Sequence, residues 1–168
     1  MILLLDNYDS YTFNLAHLIA EVDGREPLVI AAGEADGLAE RVRAGEFSHV
    51  VISPGPGTPE REEDFGAARG IIAAAAAAEI PVLGVCLGHQ GLGLLAGAQV
   101  SPAPQPRHGF VSTIRHSGEG IFAGIPQNFE VVRYHSLHIE EAPGITVHAR
   151  SEDGVIQALK VDGLPHWG

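Results

Sequence analysis

Cys86 is the residue of this 168-residue chain best placed for covalent chemistry. It stands in Gly84-Val85-Cys86-Leu87-Gly88-His89-Gln90-Gly91, after the apolar run Pro81 to Val85 and before Leu87 to Ala96, which reads as a helix. Glycines two residues to either side give the spacing of a nucleophile elbow, with Cys in place of the more usual Ser. A sharp strand-to-helix turn crowds its neighbours, and glycines on both sides relieve the clash. The turn lifts the sulfur to the N-terminus of the following helix, where the dipole and free N–H groups favour a thiolate. A lone Cys behind an apolar run is otherwise an ordinary buried residue. The paired glycines tip the reading to nucleophile.

Pro54-Gly55-Pro56-Gly57-Thr58-Pro59 is the second stretch with chemical content. Its prolines fix φ and its glycines admit unusual dihedrals, so a backbone N–H can be held in a set direction. An oxyanion hole needs such a donor, and the elbow supplies another in the N–H of Leu87. Alone, the stretch reads equally as a tight structural turn; beside a cysteine elbow the functional reading prevails. A cysteine nucleophile also needs a base. Of the nine histidines, His89 faces away from the sulfur on the departing helix. His108, His116, His138 and His148 have no partner pattern. His135, in Tyr134-His135-Ser136-Leu137 just after a strand, is better placed, but no histidine has the acidic neighbour that would orient it. The nucleophile is identifiable and its base is not.

The elements that position these residues alternate. Apolar runs at Ile2–Leu5, Pro27–Ile30, His49–Ile52 and Pro81–Val85 read as strands. Between them lie helical stretches: one with Leu15, Leu18, Ile19 and Val22 on its apolar face and Asp9 or Ser10 as cap, a weaker one over Gly37–Ala44, and an Ala-rich one over Phe65–Glu79. The pattern predicts an α/β fold, a mostly parallel central sheet with helices on both faces. Ligands of such sheets bind at the carboxyl ends of the strands, where Asp6–Ser10, Pro54–Gly57 and the elbow converge. Beyond Ala98, short runs at 111–115, 129–134, 145–149 and 155–161 form a small β-rich layer completing a single domain over 1–168.

Composition narrows the function. A formal charge of −11 argues against a nucleic-acid partner. The longest apolar run at the start stops at Asp6, far short of a membrane span. A single cysteine excludes an internal disulfide and fits a reducing, cytoplasmic compartment.

Five segments in order, Asp6-Asn7-Tyr8-Asp9-Ser10, Ser53-Pro54-Gly55-Pro56-Gly57, Gly84 to Gln90, Arg133-Tyr134-His135-Ser136-Leu137 and Trp167-Gly168, resemble a class I glutamine amidotransferase of the kind that serves chorismate-using synthases. The resemblance covers the whole chain and implies a flavodoxin-like three-layer fold. It implies that Cys86 attacks the side-chain amide of L-glutamine to form a thioester, with the Gly57 and Leu87 N–H groups holding the oxyanion. Gly55, Pro56 and Gly57, Gln90 and the Ser136-Leu137 backbone would bind glutamine, with Tyr134 and His135 in support. Two departures stand out. Phe110 follows His108-Gly109 where the family has a basic residue. The His-Pro-Glu segment that supplies the catalytic His and Glu is expected beyond Gly168, and His166 does not replace it. The chain therefore reads as a domain cut short before that segment.

What the resemblance implies for the whole protein is ammonia delivery to a chorismate-binding synthase, as subunit or fused domain. Aminodeoxychorismate synthase is favoured over anthranilate synthase by the segments Ala20–Pro27 and Asp64–Gly66. No cofactor or metal is expected in this domain, and Mg2+ is expected in the synthase. The rim loops, including Arg107 to Phe110, would meet that partner. Two other classes share these features: a binding module that keeps the fold without chemistry, and a cysteine hydrolase sharing only the elbow.

Overall fold

Alternation of apolar strands with helices produces one nine-stranded mixed sheet in a computed structural model that describes residues 1–168. The strands are β1 (Ile2–Asp6), β2 (Leu28–Ala31), β3 (His49–Ile52), β4 (Val82–Gly84), β5 (Val100–His116), β6 (Phe129–Ile139), β7 (Ile145–Ser151), β8 (Ile156–Val161) and β9 (His166–Trp167). The helices are α1 (Thr12–Asp23), α2 (Leu38–Arg43), α3 (Glu62–Ala77) and α4 (Leu87–Leu95). Spatial order is β2-β1-β3-β4-β9-β8-β7-β5-β6. The first five strands of that order are parallel; from β9 onward all pairs are antiparallel. The β-rich half thus continues the same sheet, with β9 as the pivot between its two halves.

Side-chain alternation along the strands divides the core. Leu3, Leu5, Val50 and Ile52 join Leu38, Val42, Phe65, Ile71, Leu87 and Leu92 in the main cluster, which α2, α3 and α4 cover. Leu4 and Val51 point the other way and meet Ala16, with Leu15 and Ile19 beside them, under α1. The face expected for α1 holds at Leu15 and Ile19 and needs correction at its other two positions. Leu18 and Val22 are exposed, and Thr12 and Ala16 are buried instead. The helix rests on the sheet through Ala16, flanked by the partly buried Leu15 and Ile19. Its capping also differs. Tyr11 occupies the cap position without a side-chain bond, while Asp9 Oδ1 accepts from the Tyr11 N–H at 2.8 Å.

Two further differences bear on the site. β5 begins at Val100, eleven residues before the expected Val111, and carries irregularities between Pro102 and Arg107 and between His108 and Phe110. Arg107 to Phe110 is therefore bulged strand, not loop. β6 extends to Ile139, so Tyr134 to Leu137 lie inside a strand and not after one.

Candidate active site

β4 ends at Gly84 and α4 begins at Leu87, leaving two residues for the reversal. Cys86 makes it with φ 53° and ψ −103°, a conformation that a non-glycine residue adopts only under constraint. The glycines explain how the turn closes. A Cβ on Gly84 would stand 2.5 Å from the carbonyl carbon of Gly88 and 2.8 Å from the His89 nitrogen. One on Gly88 would stand 2.6 Å from the Ile52 carbonyl oxygen of β3. No side chain fits at either position.

The helix terminus favours the Cys86 thiolate, as expected, but burial opposes it. Burial pushes the Cys86 thiol above its ordinary value. The Leu87 N–H on the sulfur pulls it down, and the carboxylate of Asp9 pushes it up again. Desolvation of the thiolate outweighs the single helix-terminal donor.

Three loops meet at this edge, as expected from the carboxyl ends of parallel strands. Asn7, in the loop after β1, donates its main-chain N–H to Ser53 Oγ at 2.9 Å and its side-chain Nδ2 to the Ser53 carbonyl at 3.1 Å. Ser53 Oγ in turn donates to the Pro54 carbonyl at 2.6 Å. Gly55 packs so closely that a Cβ would stand 2.6 Å from Asn7 Cβ and 2.8 Å from Leu87 Cδ2. Pro56 is exposed at the tip. Gly57 takes φ +83°, and its N–H has no acceptor within the chain. Thr58 donates its N–H to Asp64 Oδ2 at 3.0 Å, tying the loop to the start of α3.

Gln90 is buried one turn into α4 and donates Nε2 to the Leu137 carbonyl at 3.3 Å. The elbow helix and β6 are thus joined at the pair singled out for glutamine. Residues 133, 135 and 137 share one face of β6, while Tyr134 and Ser136 share the other. Tyr134 is exposed and packs edge-on against His108, with ring centroids 5.1 Å apart, so it is turned away from Gln90 and His135. Ser136 is exposed.

His135 is not available as a base. Its Nδ1 bonds the Leu137 carbonyl at 2.8 Å and its Nε2 accepts from Arg133 Nε at 3.0 Å. Burial holds its pKa below the ordinary value, only partly offset by the bond to Leu137, and neighbouring Arg133 deepens the drop. His89 is driven down to about 4, by burial first, against the raising effect of the Gly168 main chain. His166 is buried in β9 opposite Val82, with Nε2 unpartnered. The sequence drew no attention to Arg133 or Asp153. Arg133 lay within a matching segment without a role, and Asp153 read as a turn residue.

The class-I glutamine amidotransferase description matches residues 3–168. The chain belongs to that family. Among relatives, aminodeoxychorismate synthase of Streptomyces griseus is 52% identical over 99% of this chain. The chain spans 22% of that protein's length. Anthranilate synthase component 2 of Mycobacterium tuberculosis is 44% identical, over 99% of this chain and 72% of its own length. The fold agrees with a glutamine amidotransferase structure from Thermotoga maritima at TM-score 0.77, with 20% identity, over 99% of this chain and 73% of that one. In this amidotransferase chain no helix is long and apolar enough to cross a membrane.

Proposed function

We propose that this amidotransferase domain hydrolyses L-glutamine and passes the ammonia to a chorismate-aminating synthase, the product being 4-amino-4-deoxychorismate. The observation that carries the hydrolysis is the strained Cys86 elbow, set between Gly84 and Gly88 at the start of α4. The thiolate adds to the amide carbon, and the oxyanion accepts from the Leu87 and Gly57 N–H groups. Collapse expels the amide nitrogen, which takes up a proton and leaves as ammonia, and a thioester remains on Cys86. Water then cleaves the thioester to glutamate and restores the thiol. The domain's own chemistry calls for no cofactor, and Mg2+ belongs to the synthase part.

The proton carrier in this reading is the family's His, oriented by its Glu, from beyond Gly168. The topology supports it. β9 runs parallel to β4 with Trp167 in register with Leu83, so both strands deliver their carboxyl ends to the same edge. Gly168 lies against His89, three residues past the nucleophile: a Cβ on it would stand 3.1 Å from His89 Cα.

The Streptomyces griseus relative favours aminodeoxychorismate as product, and the Mycobacterium tuberculosis relative sustains anthranilate as the second reading. The rim around Phe110, exposed beside the Arg107 guanidinium at 5.5 Å, is the surface proposed to meet the synthase. The test uses the full-length protein with glutamine and chorismate. A glutamine-mimicking diazoketone should label Cys86 with protection by glutamine, and mass spectrometry should find aminodeoxychorismate. Labelling without protection by glutamine rejects the glutaminase reading; anthranilate as sole product rejects the preferred acceptor.

A further inference from the structure

Resting on that glutaminase reading, we propose that Asp153, Arg133 and His135 form a buried positioning relay. It fixes the Leu137 carbonyl and, through it, sets the orientation in which Gln90 meets the substrate's α-amino group.

The relay crosses the antiparallel half of the sheet and ends on the elbow helix. Asp153 sits in the turn between β7 and β8, where Ser151 Oγ donates to its Oδ1 at 2.6 Å. Arg133, with a side chain 1% exposed, donates Nη1 to both Asp153 oxygens at 2.9 Å and to Ser112 Oγ of β5 at 3.3 Å. Its Nε donates to His135 Nε2 at 3.0 Å. A guanidinium has no acceptor, so this bond requires a bare Nε2. The proton of the neutral ring must then sit on Nδ1, which donates to the Leu137 carbonyl at 2.8 Å. Arg133 thus selects the tautomer, and Asp153 holds Arg133.

The consequence falls on Gln90. An amide side chain can present either its NH₂ or its oxygen to a given neighbour. With the Leu137 carbonyl held in place, Gln90 spends Nε2 on it at 3.3 Å. No group of the chain donates to Gln90 Oε1, which is left as an acceptor suited to an ammonium. A flipped Gln90 would set oxygen against oxygen at Leu137 and offer the ammonium a second set of N–H groups. The Leu137 carbonyl opposes that flip, and the relay holds the carbonyl in the place where it does so. Stability alone is a weak reason for the buried ion pair, because apolar residues of similar volume commonly serve as well. Arg133 Nη2 even stays buried without an acceptor.

The test compares His135→Phe, His135→Gln and Asp153→Asn in the full-length protein, with folding checked by thermal melting. Two quantities are read at Cys86: the glutamine concentration that halves diazoketone labelling, and the alkylation rate with iodoacetamide, which needs no glutamine site. In His135→Phe and Asp153→Asn the half-protecting concentration should rise about tenfold, the worth of one charge-assisted hydrogen bond. Iodoacetamide rates should stay as in the wild type. His135→Gln keeps both a donor and an acceptor and should restore protection by glutamine. Unchanged half-protection in folded His135→Phe and Asp153→Asn overturns the relay while leaving the glutaminase reading intact. If one of the two fails to fold, the other decides; if both fail, the role is structural and the proposal is overturned. Absence of glutamine protection in the wild type overturns the glutaminase reading and the relay together.

Discussion

Gly84 lies against Gly88 across the Cys86 turn, with room for no atom between them: a Cβ on the first would meet the carbonyl carbon of the second at 2.5 Å. The obstacle is main chain on both sides, so no side-chain rotation relieves it. The elbow therefore owes its shape to two absent methyl groups as much as to the residue it presents.

Gly84→Ala should destabilise the domain by about 1–3 kcal/mol or more, the usual range for forcing a methyl into a packed site. Gly70 in α3 provides the contrast. A Cβ there meets nothing within 4 Å, so Gly70→Ala should stabilise by up to ~1 kcal/mol through helix propensity. Urea midpoints of the two variants check the pair. A Gly84→Ala protein as stable as the wild type would mean that the turn relaxes more freely than its contacts indicate.

Cys86 should behave as a reluctant thiol when glutamine is absent. Burial raises its pKa above the ordinary 9.0, with the Leu87 N–H opposing and Asp9 adding to the rise. Alkylation by iodoacetamide should accordingly climb through pH 9 without levelling. Asp9→Asn removes a negative charge that disfavours the thiolate, and should speed alkylation at pH 7 about twofold. A profile that levels off near neutral pH would contradict the dominance of desolvation.

The parallel half was legible because buried strands there are short apolar runs bounded by Gly and Pro, as in His49 to Ile52 before Ser53-Pro54-Gly55. β5 was not. Pro102, Pro104 and Pro106 argue against a strand, yet β5 pairs with β7 only at Ile114 to His116. Around the prolines its second edge is open, and a missing N–H there breaks no ladder. α1 misled because Leu18 and Val22 keep helical spacing while the sheet accepts Thr12 and Ala16. The site was legible where one local segment carries it, as at the elbow. Arg133 and Asp153 lie 20 residues apart in sequence, and only the folding of β6 against the β7–β8 turn brings them together.

Arg133 and Asp153 should reveal their coupling through unequal substitutions. Asp153→Ala leaves a buried guanidinium without its charge partner and should cost about 3–5 kcal/mol. Asp153→Asn keeps an acceptor and should cost less, about 1–3 kcal/mol. Burial works to raise the Asp153 pKa, but hydrogen bonds from Ser151 and Arg133 outweigh it and hold the carboxyl below its ordinary 3.8. Its contribution is therefore complete above that value and lost as pH falls through the lower, folded one. Equal urea midpoints for Asp153→Ala and the wild type would show that the pair contributes nothing.

Acid should weaken the domain well before its carboxylates titrate. His89, His135 and His166 all have pKa values below the ordinary 6.5, burial being the first cause in each, and His89 lies near 4. Between pH 6.5 and about 4 the unfolded chain binds a proton at His89 that the folded chain refuses, and the lowered His135 and His166 act in the same direction below 6.5, so stability falls as pH falls. Below about 4, His89 is protonated in both states and adds no further loss. Urea midpoints taken from pH 7 to 4.5 should therefore decline steadily, and His89→Asn should flatten the decline. A midpoint constant over that range would mean the three rings accept protons in the folded state as readily as in water.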